Sequence, residues 1–343
     1  MPNQTVIFPK MLKWLQVILL TSVILYFGKQ LFIPLFFGLL IAIVMYPMCK
    51  WFEAHSFNKA LAITACLIII TILFLALLAI LIWQLKLFSD DAPAIYNKAG
   101  ELVKQVQKWM VENIGLTTDM QNNWSEKIPA TLGGLLKSTF DTTVSTLFIL
   151  FITPVYTALF LYHRKVFVQY LKMVTPASFQ NQLDRILKQT VNTYFNYIKG
   201  MVLVYIIVGI LNSIGLFALG VKQPVLFGML CAIMTIIPYL GLIISSLIPI
   251  SVVWMQTGNI WYPIGVVAVF SFVQYLEANV IFPSVVGTQL HISTLAMLIA
   301  IISGGIIWGV AGMVLFIPFV AILKIISENI DDWKPMSLLL GRN

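Results

Sequence analysis

The sequence predicts an all-α, polytopic membrane protein with about eight transmembrane helices, and three observations lead to this fold class. First, 60% of the 343 residues are hydrophobic and only 10% are charged, whereas a soluble domain has roughly 25% charged residues. Second, apolar runs recur that approach or exceed the ~20 residues needed to cross a bilayer. Third, these runs are continuous rather than alternating, which favours helices over barrel strands.

The first three apolar runs predict a group of N-terminal transmembrane helices within residues 1–85. The runs at about 12–28 and 31–48 are nearly contiguous. They therefore form either a tight helical hairpin or one long element kinked near Pro34. A third run covers about 60–85.

The next segments differ in charge. Residues 86–140 hold six lysines and six acidic residues, and their apolar side chains recur at helical spacing, which predicts an extracytoplasmic amphipathic helical insert. Residues 141–162 predict one transmembrane helix. Residues 163–199 carry six lysines and arginines against a single acid, Asp184, which predicts a basic cytoplasmic segment.

Residues 200–326 predict a C-terminal transmembrane transport core, followed by a cytoplasmic tail at 327–343. Eight spans place both termini and the basic loops in the cytoplasm, as the positive-inside rule requires. The net charge of +8 follows from this bias, so no nucleic-acid partner is predicted. The three cysteines lie in or beside apolar runs without metal-ligand spacing, which predicts neither a metal site nor a disulfide framework.

Two late runs, 224–257 and 292–326, are longer than one span needs and are interrupted near their middles. The first contains Ile237-Pro-Tyr-Leu-Gly241, and the second contains Ser303-Gly-Gly305. A pair of interrupted hydrophobic segments points to a transporter binding site. Two interpretations stay open: broken or re-entrant helices, or single tilted helices with a kink.

Glu277 is the most informative single residue. Between Lys199 and Lys324 the only charged residues are Lys222 and Glu277. An acidic residue at a helix centre costs about 2.5–3.5 kcal/mol, so it marks a candidate functional site. The alternative is that Glu277 reaches the headgroup region or pairs with Lys222.

Two amides accompany this carboxylate. Gln274 lies on the same helical face as Glu277, whereas Asn279 lies on the opposite side at 3.6 residues per turn. The three converge only if the helix unwinds toward Pro283, which lacks a backbone donor. Such a cluster would bind a proton, a monovalent cation or a polyhydroxylated solute. Asn212 and Ser213, in the preceding run, are predicted to form hydrogen bonds between helices.

Enzyme signatures are missing from the sequence. It contains no Gly-x-Ser-x-Gly, no His-Glu-x-x-His and no glycine-rich phosphate-binding motif, so we expect neither an enzyme nor a cofactor. Without an ATP-hydrolysing domain, transport would be passive or driven by a gradient.

Four late motifs resemble the autoinducer-2 exporter family, also called PerM-like permeases. They are Ile-Pro-Tyr-Leu-Gly at 237–241, Gln-x-x-Glu-x-Asn-x-x-x-Pro-x-x-x-Gly at 274–287, Gly-Gly-x-x-Trp-Gly-x-x-Gly at 304–312 and Ile-Pro-x-x-Ala-x-x-Lys at 317–324. The resemblance implies a permease of the bacterial inner membrane that forms a homo-oligomer. Members of the family are linked to export of autoinducer-2, and others to sodium–proton antiport. This chain has Ala278 where the family often has glycine.

The predicted function is therefore a secondary transporter that exports a small polar solute, similar to autoinducer-2 by the resemblance. A sodium or lithium–proton antiporter that uses Glu277 is one alternative, and a non-transporting membrane scaffold is another. The predicted contacts to solute or ion come from Gln274, Glu277, Asn279, Pro238, Tyr239 and Gly241. The predicted structural turns are at Pro283, Gly287, Gly304 and Gly305.

Overall fold

Helices make up nearly all of the chain that the computed structural model describes, namely residues 16–17, 19–80, 82–83, 86, 149, 151–238, 240–286, 290 and 292–341. At residues 240, 242, 244 and 255 the backbone alone is described. Within these ranges the only β pairing is an isolated bridge between Ile292 and Gly341. The all-α class is confirmed there, whereas the predicted insert over 86–140 lies outside the described residues, apart from Lys86.

The helices are labelled in chain order. They are α1 (Lys29–Ala54), α2 (Lys59–Ile80), α3 (151–174), α4 (Gln180–Ala218), α5 (Pro224–Met234), α6 (Leu240–Thr257), α7 (Trp261–Leu276), α8 (Phe282–Val285), α9 (Thr294–Trp308), α10 (Val310–Asn329) and α11 (Lys334–Leu340). A helical stretch at 19–27 precedes α1. A five-residue π-helical turn, Glu277–Ile281, joins α7 to α8.

Five helical segments in the described part are long and apolar enough to cross a membrane. They are Lys29–Ala54, Lys59–Ile80, Ala177–Ala218, Trp261–Val285 and Val310–Asn329. Three further apolar stretches are shorter: α5, residues Ser245–Trp254 of α6, and α9. The polytopic membrane class is therefore confirmed, and the number of eight spans stays a prediction.

Both long interrupted runs are broken in the structure. In the first run, α5 ends at Met234 and α6 begins at Leu240. In the second, α9 ends at Trp308 and α10 begins at Val310. A single kinked helix in either run is therefore ruled out, and a re-entrant path through the membrane stays a prediction.

The second break lies at Gly309, and the prediction of a turn at Gly304 and Gly305 is wrong. Gly309 has φ 61° and ψ −140°, a backbone conformation that only glycine adopts readily. Gly304 instead lies inside α9 and faces Gly312 of α10, where a Cβ on either residue would overlap the backbone of the other. Gly304 therefore serves the close approach of two helices. The three atoms nearest to a Cβ on Gly305 would all belong to the flexible side chain of Met313.

The first two apolar runs form one nearly continuous helical element. Gly28 separates residues 19–27 from α1, yet its N–H donates to the Ile24 carbonyl and its carbonyl accepts from the Phe32 N–H, each at 2.9 Å. A hairpin is therefore not formed, and the irregularity lies at Gly28 rather than at Pro34, which is inside α1.

The chain divides into two compact units. The first unit contains Met1–Ile68, Ile149–Ile198 and Thr288–Asn343. In it, Trp308 Nε1 donates to the Leu25 carbonyl at 2.8 Å, and the ring of Phe36 lies against Trp308 and Phe319. This aromatic contact packs α1 against α9 and α10.

The C-terminal helix α11 folds back on the start of α9 within the same unit. The Ser293 N–H donates to the Leu340 carbonyl at 2.7 Å, and its hydroxyl donates to the Leu339 carbonyl at 3.0 Å. The same hydroxyl accepts from the Ala296 N–H at 3.2 Å, so Ser293 also caps α9.

The second unit contains Ile69–Phe148 and Lys199–Gly287. Its core is formed by buried residues of α4, α5, α6 and α7, among them Leu216, Phe227, Val253 and Val266. This unit holds Glu277 and the break between α5 and α6, the two features that mark the candidate site in the sequence.

Candidate substrate site

Glu277 begins the widened turn that follows α7. The Phe282 N–H donates to the Glu277 carbonyl, five residues earlier, which is the hydrogen bond of a π-helix. In a regular α-helix the ring of Pro283 would clash with the carbonyl of Asn279. The additional residue in the turn relieves that clash. The helix therefore continues through Pro283 and ends at Val285, two residues later, so the predicted unwinding toward Pro283 is not seen. Gly287 lies outside the described residues.

The Glu277 side chain is half-buried in an apolar unit. Among the residues that the structure describes, no ion pair or hydrogen bond to its carboxylate is found, so the alternative of a pairing with Lys222 is not observed. Insertions of this kind, a single extra residue in a helical turn, occur frequently at functional sites. Glu277 therefore stays a candidate ligand-binding residue, as the sequence predicts.

The two predicted amides differ in their surroundings. Gln274 is half-buried, one turn before Glu277. Asn279 is exposed, and its Nδ2 donates to the Tyr275 carbonyl at 2.9 Å. The convergence of all three side chains is therefore not seen, because the widened turn keeps the chain helical and leaves Asn279 on the outside. Its participation in a site stays a prediction.

The break between α5 and α6 is built as the sequence predicts. The Ile237 N–H donates to the Met234 carbonyl at 2.9 Å, and the Gly241 N–H donates to the Ile237 carbonyl at 3.0 Å, so Pro238 sits in a turn between them. A Cβ on Gly241 would overlap the Met234 carbonyl, which explains why glycine stands there. Tyr239 lies outside the described residues.

A buried polar cluster that the sequence analysis did not assemble lies in the same unit. Its centre is Cys231 of α5, whose Sγ accepts from Asn212 Nδ2 of α4 at 3.3 Å. The Thr235 hydroxyl donates to the Cys231 carbonyl at 2.8 Å, and Ser245, which is 1% exposed, and Glu277 both lie near Cys231. We call these four residues, Asn212, Cys231, Thr235 and Ser245, the polar cluster.

Small residues make this cluster possible. The Cβ that an alanine would add at Gly228 of α5 would fall 2.6 Å from the Gly209 carbonyl of α4, and one at Gly209 would fall 3.1 Å from Ala232 Cβ. The backbones of α4 and α5 therefore approach closely at this crossing, as small residues permit in membrane helices. That approach brings Asn212 and Cys231, nineteen positions apart, into contact.

One end of the Asn212 amide has no hydrogen-bond partner. The residue is 1% exposed, and its Oδ1 is buried and unpartnered. If the amide is turned around, Nδ2 takes that place, so one polar atom lacks a partner in either orientation. A buried polar group without a partner costs about 1–3 kcal/mol. The predicted interhelical hydrogen bond of Asn212 is therefore present, but it engages only one of the two polar atoms of the amide.

The cluster was missed because its members are far apart in the sequence and lie in different apolar runs. The sequence did show Asn212 inside one apolar run and Cys231 inside the next. Each residue by itself is typical of a packing role, so neither indicated a site. Among the described residues, no group of three histidine, cysteine or acidic side chains is arranged to hold a metal ion. The polar cluster itself consists of an amide, a thiol and two hydroxyls, and Glu277 is the carboxylate of the same unit.

A sequence model described as "AI-2E family transporter" matches residues 15–332 of the chain. "Putative transport protein YrrI" of Bacillus subtilis (strain 168) is 24% identical over 315 residues, which cover 87% of this chain and 86% of YrrI. "Putative transport protein YhhT" of Escherichia coli (strain K12) is 24% identical over 315 residues, which cover 91% of this chain and 87% of YhhT. "AI-2 transport protein TqsA" of the same organism is 22% identical over 324 residues, which cover 92% of this chain and 90% of TqsA.

Proposed function

Because the chain belongs to the AI-2E transporter family, as its resemblance to the autoinducer-2 exporters implied, we propose that it is a secondary permease that exports a small polyhydroxylated solute of the autoinducer-2 type. Membership of the family makes it a membrane transport protein. The solute is suggested by the name of TqsA and by the hydrogen-bonding groups of the second unit. We place the permease in the bacterial inner membrane with both termini in the cytoplasm, and we expect a homo-oligomer.

The observation that supports this proposal most strongly is the polar cluster beside Glu277. Asn212, Cys231 and Ser245 are buried and Thr235 is half-buried, beside a hydrophobic core, and one end of the Asn212 amide has no partner. Polar groups inside a membrane protein are expensive and normally serve function. A solute with several hydroxyls would supply the missing partners.

Each part of the site has a distinct role in the proposal. The Glu277 carboxylate accepts hydrogen bonds from hydroxyls of the solute, and Gln274, on the same face, donates or accepts a second bond. The free end of the Asn212 amide binds a further hydroxyl or carbonyl. Pro238 and Gly241 lie at the broken segment, where backbone groups outside a regular helix require partners, and Tyr239 stays a predicted contact to the solute.

Two alternatives retain their own tests. A sodium or lithium–proton antiporter would use the Glu277 carboxylate alone as its ion site, and it has no need of the Asn212 amide. A membrane scaffold would act through the insert at 86–140, which lies outside the described residues. We favour the solute permease because the polar cluster contains neutral hydrogen-bonding groups rather than additional carboxylates.

The experiment uses the purified full-length chain in liposomes loaded with isotopically labelled autoinducer-2. We expect efflux that empty liposomes do not show, and a loss of at least tenfold in Glu277→Gln and Ser245→Ala. Ser251→Ala is the matched control, because Ser251 lies on the same helix as Ser245 but is exposed and donates to its own helix at Leu247. Its efflux rate should equal that of the wild type.

Other outcomes would decide against the proposal. If Glu277→Ala exports autoinducer-2 at the wild-type rate, the Glu277 carboxylate is not part of the site. Proton flux upon addition of sodium or lithium, lost in Glu277→Gln while autoinducer-2 does not move, would establish antiport instead. If neither flux occurs and deletion of 86–140 alone abolishes the cellular phenotype, the scaffold function replaces both.

A further inference from the structure

Two cysteines on consecutive helices bring their thiols together in the first unit. Cys49 of α1 and Cys66 of α2 have their Sγ atoms 2.9 Å apart. Both side chains are 0% exposed, and both are free thiols. Non-bonded carbon atoms rest at roughly 3.5–4.0 Å, so the two sulfurs are closer than packing alone requires. The sequence spacing gave no reason to pair them.

The surroundings of the two thiols suit a disulfide. A disulfide bond is about 2.05 Å long, so the sulfurs would have to approach each other by about 0.9 Å. α1 and α2 are joined by the short loop at 55–58 and are already adjacent, since Cys49 Sγ lies 4.0 Å from the Ala62 carbonyl. The sulfurs are therefore less than about 1 Å from bonding distance without a rearrangement that brings the two helices together.

We propose that Cys49 and Cys66 form a redox modification site, at which a peroxide converts the two thiols into an intramolecular disulfide. The peroxide oxidises one thiol to a sulfenic acid and is reduced to water in a two-electron step. The second thiol then attacks the sulfenic sulfur, forms the S–S bond and releases a second water. In total two thiols and one hydrogen peroxide give one disulfide and two waters.

The proposal includes a direction of change in the cell. Lys50 and Lys59 flank the loop between α1 and α2, and the positive-inside rule places such a loop in the cytoplasm. Cytoplasmic thiols are kept reduced by glutathione and thioredoxin. In the absence of an oxidant, Cys49 and Cys66 are therefore both in the thiol form. A small uncharged peroxide is the class of oxidant suited to reach buried sulfurs, and reduction by a thiol reverses the modification.

The third cysteine provides an internal reference. Cys231 belongs to the other unit and takes part in the polar cluster. Oxidation of the pair should therefore remove two of the three titratable thiols and leave Cys231 reactive. This inference does not depend on the transported solute, so it can fail or succeed independently of the proposed function.

The test treats the full-length protein in detergent micelles with hydrogen peroxide, and in parallel with copper–phenanthroline as a second oxidant of thiols. The protein is then denatured, and its free thiols are counted with a maleimide polymer that shifts the mass. We expect three labelled thiols before oxidation, one after it and three again after dithiothreitol. Mass spectrometry of the digested wild-type protein should show a peptide that links Cys49 to Cys66 within one chain.

Variants complete the test. Cys231→Ser should fall from two labelled thiols to none, whereas Cys49→Ala and Cys66→Ala should each keep both remaining thiols. The melting temperature of the wild type should rise by a few degrees after oxidation, because a cross-link restricts the unfolded chain, and Cys49→Ala should show no such rise. Three labelled thiols after both oxidants, or a link that involves Cys231 or a second chain, would overturn the proposal. Because the wild-type peptide map requires no variant, a cysteine variant that fails to fold does not affect the outcome.

Discussion

Replacement of Asn212 by leucine separates a ligand-binding amide from an amide that only ties two helices together. Leucine has the same number of side-chain heavy atoms and the same branching, but it has no polar atom. In the wild type one end of the buried amide lacks a partner, and such a group costs about 1–3 kcal/mol. The substitution removes that cost. It also removes the 3.3 Å bond to Cys231, and an interhelical bond of this kind contributes about 0.6 kcal/mol in a membrane protein.

The cost that the substitution removes is larger than the stabilisation that it loses, so the variant should be more stable than the wild type. We expect Asn212→Leu to raise the free energy of unfolding by about 0.5–2 kcal/mol and to reduce solute efflux by at least tenfold. Greater stability with lost activity is the signature of a residue retained for function. An amide that merely holds α4 and α5 together would instead give lower stability, with activity falling in proportion to the folded fraction.

Equilibrium unfolding in mixed micelles, followed by the fluorescence of the nine tryptophans, measures the free energy. Efflux from liposomes is normalised to the folded protein. Ser213→Ala is the matched control, since the neighbouring Ser213 hydroxyl already donates to the Gly209 carbonyl at 2.7 Å, and we expect no change in efflux. A loss of stability above 1 kcal/mol, or undiminished efflux per folded molecule, would refute the reasoning.

Two further predictions concern stability. Gly309→Ala meets no neighbouring atom but must adopt φ 61°, so its unfolding free energy should fall by about 1–3 kcal/mol. Gly305→Ala, inside α9, should change it by less than about 1 kcal/mol, and equal values for the two variants would contradict the position of the break. Glu53→Ala leaves the partly buried guanidinium of Arg164 without its carboxylate, which should cost about 1–3 kcal/mol. Asp184→Ala, in an exposed pair, should cost less than about 1 kcal/mol, and unfolding curves that rank the two acids in the opposite order would exclude a structural role for the Arg164 pair.

The sequence was sufficient for the helical class and for the two broken runs, because both follow from local chemistry. Runs of apolar residues force the backbone to satisfy itself within helices, and Pro238 with Gly241 interrupts one of these runs. The family resemblance also held, since it rested on several motifs in order along most of the chain.

The remaining features depend on contacts that are distant in sequence. Gly304, Gly305 and Gly309 all permit a break, and only the packing of Gly304 against Gly312 decides that the chain turns at Gly309. At Pro283 the chain had two ways to avoid a clash, ending the helix or widening it, and local propensity does not choose between them. The contact of Asn212 with Cys231 depends on how α4 crosses α5, which is a tertiary property.

Helix α4 has a practical consequence for imaging the protein. Its 39 residues extend over about 58 Å, roughly twice the ~30 Å hydrocarbon thickness of a bilayer. We therefore expect the polar first half to extend beyond the lipid, where Asn329 Nδ2 donates to Gln189 Oε1 at 2.8 Å and Asp184 forms an ion pair with Lys172. A protein of 38.6 kDa surrounded by detergent offers few features for aligning particles in electron micrographs. An antibody fragment raised against the first half of α4 would add a recognisable feature for particle alignment, and it would touch no residue of the proposed site.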